Sequence, residues 1–387
     1  MPKSQIYMDN ASTTQVDKRV VAAMQPYFNG IYANPSSVYS MGLRAKDAID
    51  SSRSIIAKFI GAKADEIVFT SGGSESNNLA IFGALNNIKK GRIITSAIEH
   101  PSVLRPIEVL EERGFEVIRI KPKPDGVISA QDVKKYLNSD TVLVSIMYAN
   151  NEIGTIQPIA LIGKIICDFK KKRQNARALI FHTDACQAPQ YLDMDVATLG
   201  VDLLTINGSK IHASKGIGAL YIRSAVDIQG QILGGPQERG LRAGTENVAG
   251  IVGFARAISL IKKSEDKKVK AIRDYVISEL LKIPRSQLNG SRVRRLPNNI
   301  NISFANVEGE SLVLYLDRRG IMVSTGSACS SQSLEPSHVV SVIKDSEVAH
   351  SSLRITLSRY NTMREAKLVV SEINNAVREL RKVSENE

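Results

Sequence analysis

Between residues 40 and 225, short apolar runs of strand length alternate with helical patterns, and this alternation constrains the fold more than any other feature of the chain. EIVFTSG (66–72) leads into ESNNLAIFGALNNI, RIITSAIEH (92–100) into VLRPIEVLEER, and FEVIRIKP into SAQDVKKYL. TVLVSIMYANN leads into PIALIGKIICDFKKK, and ALIFHTDACQ, VDLLTINGSK and GALYIR then follow in quick succession. Short buried strands separated by helices predict an α/β fold, with a mostly parallel central sheet flanked by helices. In such sheets the ligand crevice lies beyond the carboxyl ends of the strands. Ser71 to Ser76, His100, Asn150, Asn151, Asp184 and Lys210 all fall at those ends.

The pattern changes after about residue 255. A long charged helix (KKVKAIRDYVISELLKI) leads to NINISF, a helix through ESLVLYLDRRG, the strands IMVS and RITLS, and a last helix from Arg364 to Val383. This reads as a smaller α+β domain, and 387 residues suffice for two cores. The expected division is an N-terminal segment 1–15, a large domain 16–255 and a small domain 256–387 carrying a loop at about 324–336.

Composition narrows the function classes. The net charge of +12 comes from dispersed Lys and Arg, aromatics are 5%, and no nucleic-acid-binding motif occurs, so a solvated basic surface is expected rather than direct nucleic-acid binding. No apolar run reaches the roughly 18 residues of a membrane span. The opening MPKSQIYMDN resembles neither a secretory signal nor a transit peptide, so the expected location is the cytoplasm. Three cysteines without CxxC spacing argue against a disulfide framework or structural zinc. Cys167, within LIGKIICDF, and Cys186, at a strand end, read as structural. Cys329 lies in VSTGSACSSQS (323–333), among small polar residues that pack no core.

SGGSESNN (71–78) follows a strand and opens a helix, where glycines allow close backbone approach and free N–H groups favour a phosphate. A simple N-cap would account for the same serines. Asp184 ends an apolar strand, as a cap, as half of an ion pair, or as the partner of a protonated pyridine nitrogen. Lys210, at the end of the next strand, is where a pyridoxal phosphate Schiff base would form if the two residues share a crevice.

With these residues on view, the chain resembles a cysteine desulfurase of the NifS/IscS type, in the class V group of fold-type I pyridoxal phosphate enzymes. YMDNASTT, NPSS, SGGSESNNLAI, EHPSV, NNEIGTIQPI, HTDACQ, SKGIGALYIR, GGPQERGLRAGTEN, STGSACSSQSLEPSHV and AHSSLRITLSR carry the likeness nearly end to end. The resemblance implies that Lys210 binds the cofactor covalently and moves protons, that Asp184 meets the ring nitrogen and Gln187 the ring oxygen, and that His100 stacks on the ring. Gly73 and Ser74 would hold the phosphate with Asn207 and Ser209, and Thr245 would reach it from the other subunit of a homodimer. Asn151 and Arg354 would hold the carboxylate of L-cysteine. Cys329 would take the sulfur as a persulfide, on a loop free to swing, and pass it to an iron–sulfur scaffold or a sulfur-relay protein, for cluster assembly or tRNA thiolation.

One stretch departs from the family. NGSKIHASKG has Ser209 where a histidine usually precedes the lysine, and Asn207 where Ser or Thr is usual, which implies an altered phosphate grip. Lys215 is a rival lysine whose spacing fits a structural role. Rival functions are a selenocysteine lyase, another class V aminotransferase, or a degenerate homologue that only binds.

Overall fold

The computed structural model describes residues 5–173, 178–262, 264–326 and 336–384. Its first element is a two-residue strand, β1 (Ile6–Tyr7). Seven strands then build the central sheet: β2 (Ile67–Thr70), β3 (Arg92–Ser96), β4 (Glu116–Ile120), β5 (Thr141–Ser145), β6 (Ile180–Asp184), β7 (Leu203–Asn207) and β8 (Gly218–Ile222). Their order across the sheet is β2-β8-β7-β6-β5-β3-β4. β3 to β7 run parallel, and β8 is antiparallel to both its neighbours. The expected mostly parallel α/β sheet is what forms.

Burial explains why these runs are continuous rather than alternating. Every residue of β2, β5, β6 and β8 is buried, because helices cover both faces. Successive residues serve opposite layers: Phe181 and Leu204 join one apolar cluster, while Ile180 and Leu203 join the other. At the edge, β4 stays half-exposed and Glu116 pairs with Arg92 at 2.8 Å, a charged border of the kind that discourages strand addition. Truncating fully buried Phe181 or Phe254 to alanine would cost about 3–5 kcal/mol.

The C-terminal third has its own antiparallel sheet, with β9 (Ser286–Leu288) and β12 (Ser352–Thr356) flanking β10 (Asn299–Phe304). Helices Glu265–Leu280, Gly309–Asp317 and Met363–Ser384 cover it through a core that includes Val276, Phe304, Leu312 and Ile373. β1 pairs in parallel with β11 (Ile321–Met322), and Ile6 and Met8 enter the same core. The N-terminal segment therefore packs on the C-terminal third. A smaller cluster, Ile98 and Ile153 with Val339, Val340, Ile343 and Ala349, joins the strand-end loops to the helices after residue 337.

One expectation needs correction here. Cys167 is exposed, not core. Its helix, Ile159–Lys172, buries Ile159, Ile162, Gly163 and Ile166, and Cys167 falls one position beyond that stripe. At the basic end of the same helix, Lys170 pairs with Asp202 at 2.6 Å and Arg173 donates to the Thr141 carbonyl at 3.1 Å.

Candidate active site

β2, β3, β5, β6 and β7 stop at the same edge of the sheet and hand their polar continuations to one cavity of about 220 Å³. β2 delivers Gly73 and Ser74, the first residues of the helix Gly73–Asn78, which no side chain caps. β3 leads to His100, which caps the helix Pro101–Glu112; Pro101 suits its first position because proline has no N–H to leave unsatisfied. β5 leads to Met147, Asn151 and Glu152, on a turn shaped by Asn150, whose Oδ1 accepts from the N–H of Glu152 at 2.8 Å and of Ile153 at 2.9 Å. β6 ends on Asp184, with Cys186 and Gln187 just beyond, and β7 ends on Asn207, with Lys210 closing a tight turn. Ser12 from the N-terminal segment and Arg354 from β12 complete the wall.

The carboxylate of Asp184 is buried and satisfied. Its Oδ2 accepts from Asn77 Nδ2 at 2.7 Å and its Oδ1 from the Cys186 N–H at 2.9 Å. Lys210 Nζ donates to the Ser12 carbonyl. Gln187 Nε2 donates to the Ala11 carbonyl at 3.1 Å. His100 is held below its ordinary pKa chiefly by burial, against the pull of Asp184, so its ring is neutral near pH 7. Arg354 is 1% exposed. Its guanidinium donates to Asp9 Oδ1 at 2.8 Å, Ser12 Oγ at 2.7 Å, the Asn151 carbonyl at 3.3 Å and the Gly326 carbonyl, while Nε has no partner among the described residues.

Nine residues anticipated from the sequence therefore line one cavity: Gly73, Ser74, His100, Asn151, Asp184, Gln187, Asn207, Lys210 and Arg354. Ser209 is not among the lining residues; its hydroxyl lies 3.2 Å from Asn207 Oδ1, and its carbonyl holds Thr14. Thr245 is exposed in a second cleft beside Ser71, Gly216 and Arg242. Cys329 lies outside the described residues.

Sequence reasoning missed several contributors. Cys186, expected to be structural, is half-buried on the cavity wall, and its thiol is pushed up by burial and by Asp184. Its Sγ would sit 2.7 Å from any Cβ placed on Gly73, so only glycine fits there. Asn77, Ser102 and Glu152 also line the cavity. All three lie inside motifs already singled out, but residue type alone could not show that they turn inward. Behind them Glu99 is fully buried, its carboxyl pushed up to about 8 by burial; it accepts from Ser96 Oγ and from the Met147 N–H at 2.9 Å.

The family model described as Aminotransferase class-V matches residues 6–369. The chain belongs to the class-V aminotransferase family. Within it, the chain is 48% identical over 389 residues to "Cysteine desulfurase IscS" of Dictyoglomus turgidum, covering 99% of this chain and 97% of the relative. A solved structure titled "NIFS-LIKE PROTEIN" superposes with a TM-score of 0.88 at 34% identity, over 96% of this chain and 98% of that one. Another, titled "SspA in complex with cysteine", gives a TM-score of 0.81 at 36% identity, over 92% and 100%. The chain is thus a cysteine desulfurase of class V, and pyridoxal phosphate is the cofactor of this class. The residues present fit that group. A buried carboxylate at a strand end suits a protonated ring nitrogen, an amine sits on the neighbouring strand end, and Gly73 leaves backbone open where a side chain would collide.

Proposed function

We propose that this cavity is where L-cysteine loses its sulfur, and that the anticipated residues divide the work as follows. Lys210 would hold pyridoxal phosphate and move protons, Asp184 would meet its ring nitrogen and Gln187 its ring oxygen, and Gly73, Ser74 and Asn207 would hold its phosphate. When bound, the cofactor supplies an electron sink that loosens the bonds around the substrate's Cα. Arg354 and Asn151 would grip the substrate carboxylate; Arg354 offers a buried Nε with no partner among the described residues and a guanidinium already fixed in place by Asp9 and Ser12.

The thiolate of Cys329 would attack the substrate sulfur. The carbon–sulfur bond breaks as the new sulfur–sulfur bond forms, and the three-carbon remainder takes up protons to leave as alanine. The convergence of Asp184, Lys210 and Arg354 on one cavity carries this reading. Its other support is that both described flanks of the Cys329 segment are tied to the cavity wall: the Gly326 carbonyl accepts from Arg354, and the Ser337 hydroxyl donates to Glu152. Three residues past Gly326 is a reach of about 10 Å. The persulfide would then pass to an iron–sulfur scaffold or a sulfur-relay protein. The chain would work as a homodimer in the cytoplasm; exposed Thr245, away from its own cavity, and unpaired Cys167 and Cys186 favour that setting. No described helix is long and apolar enough to cross a membrane.

An absorbance spectrum before and after L-cysteine and reductant, with sulfide and alanine measured in the same tube, tests the reading. A visible band that shifts with cysteine, with equal yields of both products, is expected. A band with alanine but no sulfide, or with neither product, overturns it.

A further inference from the structure

A buried hydrogen-bond chain behind the cavity has a direction, and the direction can be counted out. Asn77 is completely buried. Its Nδ2 lies 2.7 Å from Asp184 Oδ2 and 2.9 Å from Ser102 Oγ. A carboxylate only accepts, so the nitrogen of the amide must face Asp184, and its two hydrogens serve Asp184 and Ser102. Ser102 Oγ has then accepted and still has its own proton to give. His100 Nδ1 lies 2.7 Å from it and also accepts the Ser102 backbone N–H at 3.1 Å. With two donors aimed at Nδ1, a neutral imidazole carries its proton on Nε2.

The chain does not conduct protons. Asn77 donates at both ends, and an amide cannot pass a proton from one side to the other. Putting a proton on Nδ1 would cost His100 both of its donors at once. The groups around the ring pull in different directions: Asp184 at the end of β6 and Glu152 after β5 favour the cation, while Lys210 after β7 and His338 at the start of the helix His338–Ile343 oppose it, and burial opposes it most.

We propose that Asn77 and Ser102 are positioning residues that lock His100 as the neutral Nε2–H tautomer, so that at this site it acts as a fixed hydrogen-bond donor and not as a base. A neutral imidazole of lowered pKa is a competent donor to developing negative charge. The consequence for turnover rests on the reading of the cavity as the desulfurase site; the tautomer itself does not.

The test uses the full chain labelled with ¹⁵N-histidine, with cofactor and without it. Five histidines make the ring spectrum tractable, and the signal missing from His100→Gln identifies His100. The wild type is expected to show Nε2–H with bare Nδ1, its midpoint below the ordinary histidine value. Ser102→Ala should raise the His100 midpoint by about one unit, a tenfold change in its protonation equilibrium, and Ser102→Thr, which keeps the hydroxyl, should restore it. Asn77→Ala should behave like Ser102→Ala, and both should lower kcat about tenfold with KM for L-cysteine changed less than twofold. An Nδ1–H tautomer in the wild type, or a His100 titration unmoved in Ser102→Ala, overturns the proposal even if Asn77→Ala fails to fold. Because the spectra need no turnover, they decide the tautomer whether or not sulfide is made.

Discussion

The two walls of the cavity are built in different ways. The wall that ends in Asp184, Asn207 and Lys210 belongs to one sheet: each side chain is the continuation of a strand whose every neighbour is set by backbone pairing. The opposite wall is assembled from three remote stretches. Arg354 of β12 reaches Asp9 and Ser12 near the start of the chain, Asn151 in the middle, and Gly326 ahead of the Cys329 segment. Its ties are polar and join the sheet's strand-end loops to the C-terminal third, and the small cluster around Ile98 and Ile153 adds apolar support. A sheet edge gives rigid placement, which suits a cofactor that stays. The assembled wall depends instead on how the remote stretches pack together, since moving the buried Arg354 away from Asp9 would leave its charge unpaired.

The largest expected effect lies on the rigid wall. Lys210→Ala should abolish the visible cofactor band and lower sulfide release by at least a thousandfold, while leaving the fold intact by circular dichroism. A variant that kept its band would hand the role to Lys215 and break the comparison, since Lys215 does not line the cavity.

On the assembled wall, Arg354→Lys keeps the charge but loses the planar fork that serves four partners. Cofactor content should stay as in the wild type, and KM for L-cysteine should rise on the order of 10–100-fold. Loss of cofactor alongside substrate binding would show that the walls are not separable.

The smallest effect concerns the layer behind both walls and is read in stability. Glu99, with a carboxyl near 8 in the folded chain and about 4.3 when unfolded, binds its proton more tightly in the native state. That contribution is fully present below pH 4 and fades as pH rises through 8. Denaturant melts of Glu99→Gln against wild type should therefore show the variant gaining on the parent from pH 5 to 8, by on the order of a few kcal/mol at most. A difference independent of pH would mean that Glu99 is ionised in the native chain.

Much of the sheet-edge wall could be read from residue order alone. A strand that stops at a sheet edge and continues into a polar residue puts that residue at the crevice, so Asp184, Lys210, His100 and Gly73 announced themselves by position. Cys167 was misread because it sits in an apolar-looking run, where one residue of rotation decides whether a side chain faces core or solvent. Asn77, Ser102 and Glu152 stood in view inside recognised motifs, but a polar residue shows its role only when its partners are known.

By itself, then, the order of residues determined the α/β layering, the family, and which strand ends would meet at one crevice, because periodicity, short motifs and strand ends suffice for those. Tertiary structure decided that the N-terminal segment packs on the C-terminal third, that Arg354 reaches four distant partners, and that Asn77 points its amide at Asp184 and Ser102. Those are contacts between residues separated by 25 to 345 positions. Hydrogen-bond polarity exists only between atoms already brought within about 3.5 Å, so no local pattern could have encoded it.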